Sequence, residues 1–194
     1  MGKPSQQRLP KILYSCHEDF WSSIVLLAFL SANTVSEARK RLQNLEVLTS
    51  KGRSLLGKEV TLDPPIRGSF NPSLKGTNQS EMKWNDLRPD VYITTPREVM
   101  LIENKKKTQR TPGQMEAYEA YLSQRYGESR RVIMYLIPAN WWVPADPKNE
   151  WVRWIQTGDG GTVRGILLWN ETSTSLIFAA AGITDLSNYF ELPR

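Results

Sequence analysis

Cysteine and histidine are almost missing from this chain. Cys16 and His17 stand alone among 194 residues. That excludes a disulfide within the chain, a zinc site of Cys and His ligands, and a four-cysteine iron–sulfur cluster. A Ser-His-Asp or Cys-His device would have to be built on His17, which sits beside a run of bulky apolar residues and reads as a helix-start residue. Long hydrophobic runs are missing too. The apolar stretch 20–32 is shorter than the roughly 20 residues a membrane span needs, so a buried helix is expected and no membrane partner. The basic start lacks a signal-peptide cleavage pattern, and Gln6 occupies the place of the Ser or Thr of a myristoylation signal. An intracellular location, cytoplasmic or nuclear, is the expectation, with the sequons at Asn78 and Asn170 arising by chance. Internal repeats and low-complexity tracts are absent. Hydrolytic chemistry in such a chain has to rest on carboxylates, lysines and a hard metal ion.

What is present suits one globular domain over 1–194. Apolar residues make up 40% and charged residues 23%, near the averages of soluble proteins, and the length suffices for one proper core. The net charge of +5 favours anionic partners, of which phosphate backbones are the commonest inside cells.

Hydrophobic spacing predicts a first helix over Glu18–Ser31, apolar on most sides and central to the core. A second helix is expected over 36–50, with Ala38, Leu42, Leu45 and Leu48 on one face, Arg39, Lys40 and Arg41 on the other, and Gly52 beyond its end. "GKEVTLD" is a short strand candidate. A loop at about 63–89, dense in Pro, Gly, Asn and Ser, is too long to be an ordinary connection and would carry Arg67 and Lys75 toward the segment that follows. "DVYITT" and "EVMLIENK" read as strands joined at Pro96 and Arg97. "PGQMEAYEAYLSQRY" has helical spacing, and "RRVIMYLIPA" suits a strand buried on both faces. A strand-rich C-terminal extension is expected, with "GILLWN" and "SLIFAAA" as a hairpin across Glu171 to Ser173 and "ITDLSNYF" as a closing helical turn. The order implies an α/β fold with a mixed sheet.

The chemistry concentrates in the hairpin. Alternation along the strand sends Val99, Leu101, Glu103 and Lys105 to one side, and a turn near Pro96 sets Asp90 opposite Glu103. Two carboxylates and an ammonium thus converge. Asp90 and Glu103, with the backbone carbonyl of Asn104, form a donor set for Mg²⁺ that leaves water positions open. The cation would polarise a phosphoryl oxygen, while Lys105 orients or activates water and offsets developing charge. The basic run Lys106, Lys107 and Arg110 lies just beyond, where it would track phosphates.

Pro89-Asp90 and Glu103-Asn104-Lys105 resemble the motif of the PD-(D/E)XK nuclease superfamily, and Gln114 with Tyr118 resembles the Gln-x-x-x-Tyr feature of its RecB-like members. The resemblance covers 90–131 well and the rest in outline. It implies a restriction-endonuclease-like αβββαβ core, a mixed central sheet flanked by helices, and Mg²⁺- or Mn²⁺-dependent hydrolysis of phosphodiester bonds. DNA is favoured over RNA, with a homo-oligomer or protein partner open. It further implies that Gln114 and Tyr118 contact substrate or support the metal centre, and that a glutamate of the first core helix joins the site. Glu37, Glu46 and Glu18 compete for that place, and chain order slightly favours Glu37.

Other readings stand beside this one. Each residue taken singly is an ordinary turn, strand-end or helix residue, and the same fold can bind nucleic acid or assemble with a partner without cutting. A carboxylate-pair glycosidase is disfavoured, because the adjacent lysine and basic flanks suit phosphate better than neutral sugar. Trp141, Trp142, Trp151, Trp154 and Trp169 could stack on bases, although tryptophans in such a region more often pack into a core.

Overall fold

The computed structural model describes residues 18–74, 87–105, 113–139, 149–158 and 161–183. Its elements are α1 (Glu18–Ser31), α2 (Ser36–Gln43), β1 (Glu46–Thr49), β2 (Gly52–Leu55), α3 (Leu56–Glu59), β3 (Arg67–Phe70) and β4 (Val91–Thr94). They continue with β5 (Glu98–Asn104), α4 (Gln114–Arg125), β6 (Arg130–Pro138), α5 (Glu150–Gln156), β7 (Thr162–Trp169) and α6 (Glu171–Ala180). Among the described residues no helix is long and apolar enough to cross a membrane.

The protein is α/β, built on one mixed sheet of seven strands in the order β2-β1-β7-β6-β5-β4-β3. Its middle strands β5, β6 and β7 are parallel, while both flanking pairs run antiparallel. Parallel neighbours need crossover connections. Here α4 joins β5 to β6 and α5 joins β6 to β7, and both helices pack on the same face against Leu101, Ile133, Tyr135 and Ile166. The opposite face carries Val47, Ile93, Ile102, Met134 and Leu167 against α1, α2 and α6. With helices on both faces, the central strand β6 has to be apolar on both sides, which accounts for its continuous hydrophobic run.

Four expectations are corrected. The second helix stops at Gln43, and residues 46–49 form β1 instead. Leu42, Leu45 and Leu48 fit a helical spacing, but Val47 packs into one layer and Leu48 into the other, the alternation of a strand inserted in a sheet. Gly52 starts β2 with φ 102, closing the tight β1–β2 turn. "GKEVTLD" holds most of the single turn α3 and then an irregular stretch outside the sheet, with Leu62 at φ 54. Its Thr61 N–H donates to the Glu98 carboxylate at 2.9 Å rather than to a neighbouring strand.

"SLIFAAA" is helical, part of α6, so the late hairpin does not exist. The Asn170 side chain accepts from Ser173 N while Ser173 Oγ accepts from Asn170 N, a reciprocal cap that begins a helix where a turn was expected. The long loop contains β3, whose register pairs Phe70 with Val91 and Arg67 with Thr94. Arg67 therefore lies at the end of β4 away from Asp90, exposed at the sheet edge. Lys75 and the closing turn from 184 onward lie outside the described residues.

One buried ion pair anchors α4. Arg164 of β7 donates from Nη2 and Nε to Glu119 at 2.5 and 3.3 Å, and from Nη1 to the Trp154 carbonyl at 2.8 Å. Helix α4, which carries Gln114 and Tyr118, is thereby tied to both β7 and α5.

Candidate active site

The β4–β5 hairpin positions the acids. Pro96 presets one turn residue, Thr95 N donates to Glu98 O at 2.9 Å, and Thr95 Oγ1 accepts from Arg97 N and Glu98 N. The register that follows pairs Val91 with Ile102, so the next pair is Asp90 with Glu103, on the face covered by α4. Asp90 Oδ2 accepts from the Asn104 N–H at 2.6 Å, a short charge-assisted bond that draws the carboxyl across to the end of β5.

Proline leaves the Asn104 carbonyl without a ladder donor. Were the antiparallel ladder to continue, the partner of Asn104 would be Pro89, which has no N–H to return to the Asn104 carbonyl. On the other side, Lys105 N donates to Leu136 O at 2.9 Å. A trans peptide points its C=O opposite to its N–H, so the Asn104 carbonyl faces away from β6, toward the β4 side where Asp90 lies.

Glu103 is the hub. It is 5% exposed, with Lys105 at 8% and Asn104 at 2%, so its charge is held by protein donors rather than by bulk water. Glu103 Oε1 accepts from Lys105 Nζ and from Gln114 Nε2, each at 2.8 Å, and Oε2 accepts from the Tyr118 hydroxyl at 3.3 Å. Gln114 and Tyr118, one turn apart, are also joined by a 3.1 Å hydrogen bond. Gly113, with φ 80, lets the chain enter α4 in the left-handed conformation, which sets the Gln114 side chain in the first turn against this carboxylate. Gln114 Oε1 is buried without a hydrogen-bond partner.

The electrostatics follow from crowding. Burial first, then the Glu103 charge, push the Asp90 carboxyl up to about 7, with Glu18 adding to the rise and the Asn104 N–H and Lys105 opposing it. Burial, then Glu103, also raise the Tyr118 hydroxyl, which stays a neutral donor. Two close carboxylates with a single ammonium between them are short of positive charge, and a divalent cation would supply it. Asp90, Glu103 and the Asn104 carbonyl are the oxygen donors that fit one, and Gln114 Oε1 is an acceptor suited to a metal-bound water. Among the described residues no three Asp, Glu, His or Cys side chains make a metal-holding group on their own, so backbone and water oxygens would complete the shell.

Of the three competing glutamates, Glu37 is paired with Arg41 at 3.5 Å on an exposed helix face, and Glu46 with Arg53 at 2.7 Å. Neither enters the cluster. Glu18, in the first turn of α1, is the one whose charge acts on Asp90, and its backbone oxygen accepts from Asn104 Nδ2 at 3.4 Å. The sequence signal was its place at the start of the first, most apolar helix. Trp151 and Trp154 pack edge-on against Tyr135, and Trp169 lies 4.1 Å from Trp21, so these three are core rather than a stacking platform. Trp141, Trp142, Lys106, Lys107 and Arg110 lie outside the described residues. Sequence reasoning missed the Asn104 side chain, whose Oδ1 accepts from Trp169 Nε1 at 3.2 Å. Comparison with known proteins yields no match: no family model, no curated protein and no solved structure is significantly similar to this chain.

Proposed function

We propose that this protein is a divalent-metal-dependent nuclease of the PD-(D/E)XK type, hydrolysing phosphodiester bonds, with DNA the favoured substrate. The observation that carries the reading is the convergence on Glu103 of Lys105, Gln114 and Tyr118, with Asp90 in the adjoining register position. The chain order α1, then β3, β4 and β5, then α4 and β6 supports a restriction-endonuclease-like αβββαβ core. Strands β7, β1 and β2 extend the sheet on the far side of β6.

Asp90, Glu103 and the Asn104 carbonyl would hold Mg²⁺ or Mn²⁺, which when bound polarises the phosphoryl group and acidifies a bound water. Lys105, held at 2.8 Å from Glu103, presents an ammonium where negative charge develops and orients the attacking water. Gln114 and Tyr118 fix the Glu103 carboxylate so that its orientation is set before substrate arrives. Lys106, Lys107 and Arg110, next in sequence, would meet the phosphate backbone.

The test is cleavage of single- and double-stranded DNA and RNA across a Mg²⁺ and Mn²⁺ titration. Wild type should cut only with metal, and Lys105→Ala should lose on the order of 100- to 1000-fold in kcat while still binding nucleic acid. A second reading, a nucleic-acid-binding or assembly module on the same framework, is favoured by the Lys105–Glu103 ion pair, which balances the glutamate without a metal ion. It gains if wild type never cuts and Lys105→Ala binds nucleic acid equally well.

A further inference from the structure

We propose that Asn104 and Trp169 form a positioning pair that aims the Asn104 peptide at the cation; the inference rests on the metal-dependent reading above. Asn104 ends β5, next to Glu103 in sequence, and its side chain leaves the site on the opposite face of the sheet from Glu103, as strand alternation requires. There it is 2% exposed and meets two partners from distant parts of the chain. Its Oδ1 accepts from Trp169 Nε1 at 3.2 Å at the end of β7, and its Nδ2 donates to the Glu18 carbonyl at 3.4 Å in the first turn of α1.

Each polar contact of this residue bears on the site. The backbone N–H holds Asp90 Oδ2, the carbonyl is turned toward the β4 side, and the side-chain amide is clamped underneath. Trp169 is itself immobilised, fully buried and in ring contact with Trp21, which in turn meets Phe178 at 5.4 Å. The indole N–H is thus a rigid donor delivered through the core by β7 and α1. A rotation of the Asn104 side chain would be felt at its own peptide, at Asp90 and at the first turn that carries Glu18. Partners of this kind, one shell behind metal-ligating groups, typically alter metal affinity or activity by about 10- to 100-fold when removed.

Two variants of the full chain test the pair, read by Mn²⁺ affinity from calorimetry or electron paramagnetic resonance, by the indole N–H resonance of ¹⁵N-labelled protein, and by kcat and KM. Trp169→Phe keeps a ring against Trp21 and removes the donor. Asn104→Leu keeps the volume and removes both amide contacts. Expected are a loss of Mn²⁺ affinity of about 10-fold for Trp169→Phe and up to about 100-fold for Asn104→Leu, a fall in kcat with KM for nucleic acid unchanged, and a Trp169 indole signal in wild type that shifts on Mg²⁺ addition. A purely structural role would lower the melting temperature without moving metal affinity. Wild-type Mn²⁺ affinity in Trp169→Phe overturns the proposal alone, and that variant decides even if Asn104→Leu does not fold. Absence of Mn²⁺ binding by wild type overturns both the proposal and the metal-dependent reading.

Discussion

Asp90→Asn should remove most of the pH dependence that the acidic cluster imposes on stability. In the folded chain Asp90 is pushed up to about 7 from its ordinary 3.8, first by burial and then by the Glu103 charge. A group whose folded pKa is raised contributes stability that is fully present below its unfolded value and is lost as pH rises through the folded value. For Asp90 that window runs from about pH 4 to about pH 7. Three units at about 1.36 kcal/mol each set an upper bound of about 4 kcal/mol, and water reaching the half-buried carboxyl reduces it toward about 2.

Asn is the appropriate replacement, because its amide oxygen can still accept from the Asn104 N–H. Urea unfolding of wild type and Asp90→Asn, metal-free, at about pH 5 and about pH 8 reads this group together with its electrostatic coupling to Glu103, since groups remote from the cluster cancel between the two proteins. The stability difference should move in favour of the variant by about 1–3 kcal/mol between the two pH values, because the unfolded carboxyl is already largely ionised at the lower one. Mg²⁺ at the higher pH should return stability to wild type and not to the variant, because the cation binds the ionised folded state. Parallel profiles for the two proteins over this range would refute the crowding argument, and with it the account of why the cluster calls for a cation.

Glu18→Gln should weaken Mn²⁺ affinity and cleavage by about 10-fold, whereas Glu37→Gln, whose parent side chain pairs only with Arg41 on the surface, should leave both unchanged; metal titration with a cleavage assay compares them. Pro89→Ala supplies an N–H opposite the Asn104 carbonyl and should lower Mn²⁺ affinity several-fold by competing for that oxygen, as calorimetry would register. Glu119→Gln leaves Arg164 buried without its counter-charge and should cost about 3–5 kcal/mol in denaturant unfolding, since the pair lies wholly inside the α4 layer.

The hairpin and its acids were legible because everything that sets them is local. Alternation decides that Glu103 and Lys105 share a side, and a two-residue turn at Pro96 and Arg97 decides that Asp90 faces Glu103. The same holds for Gln114 and Tyr118, four residues apart on one helix, and for β6, whose apolar run announces cover on both faces. Reading failed where two periods fit one segment. Leu42, Leu45 and Leu48 satisfy a helix, but pairing with β2 on one side and with the distant β7 on the other, through Val47 and Leu167, makes residues 46–49 a strand. At 170–181 the Asn-Glu-Thr-Ser stretch that suggests a turn is also a helix cap, and packing of Ile177 and Phe178 into the α1 layer favours the helix.

Glu18 and Trp169 belong to a different class again. They stand 86 and 65 residues from Asn104, and no spacing rule connects them to it. Local sterics and hydrogen-bond geometry act over a few residues, and they alone establish the Asp90, Glu103 and Lys105 constellation. Which helix end and which indole come up beneath it depends on the order in which seven strands assemble, and that order is set by burying two apolar faces at once, a condition on the whole chain.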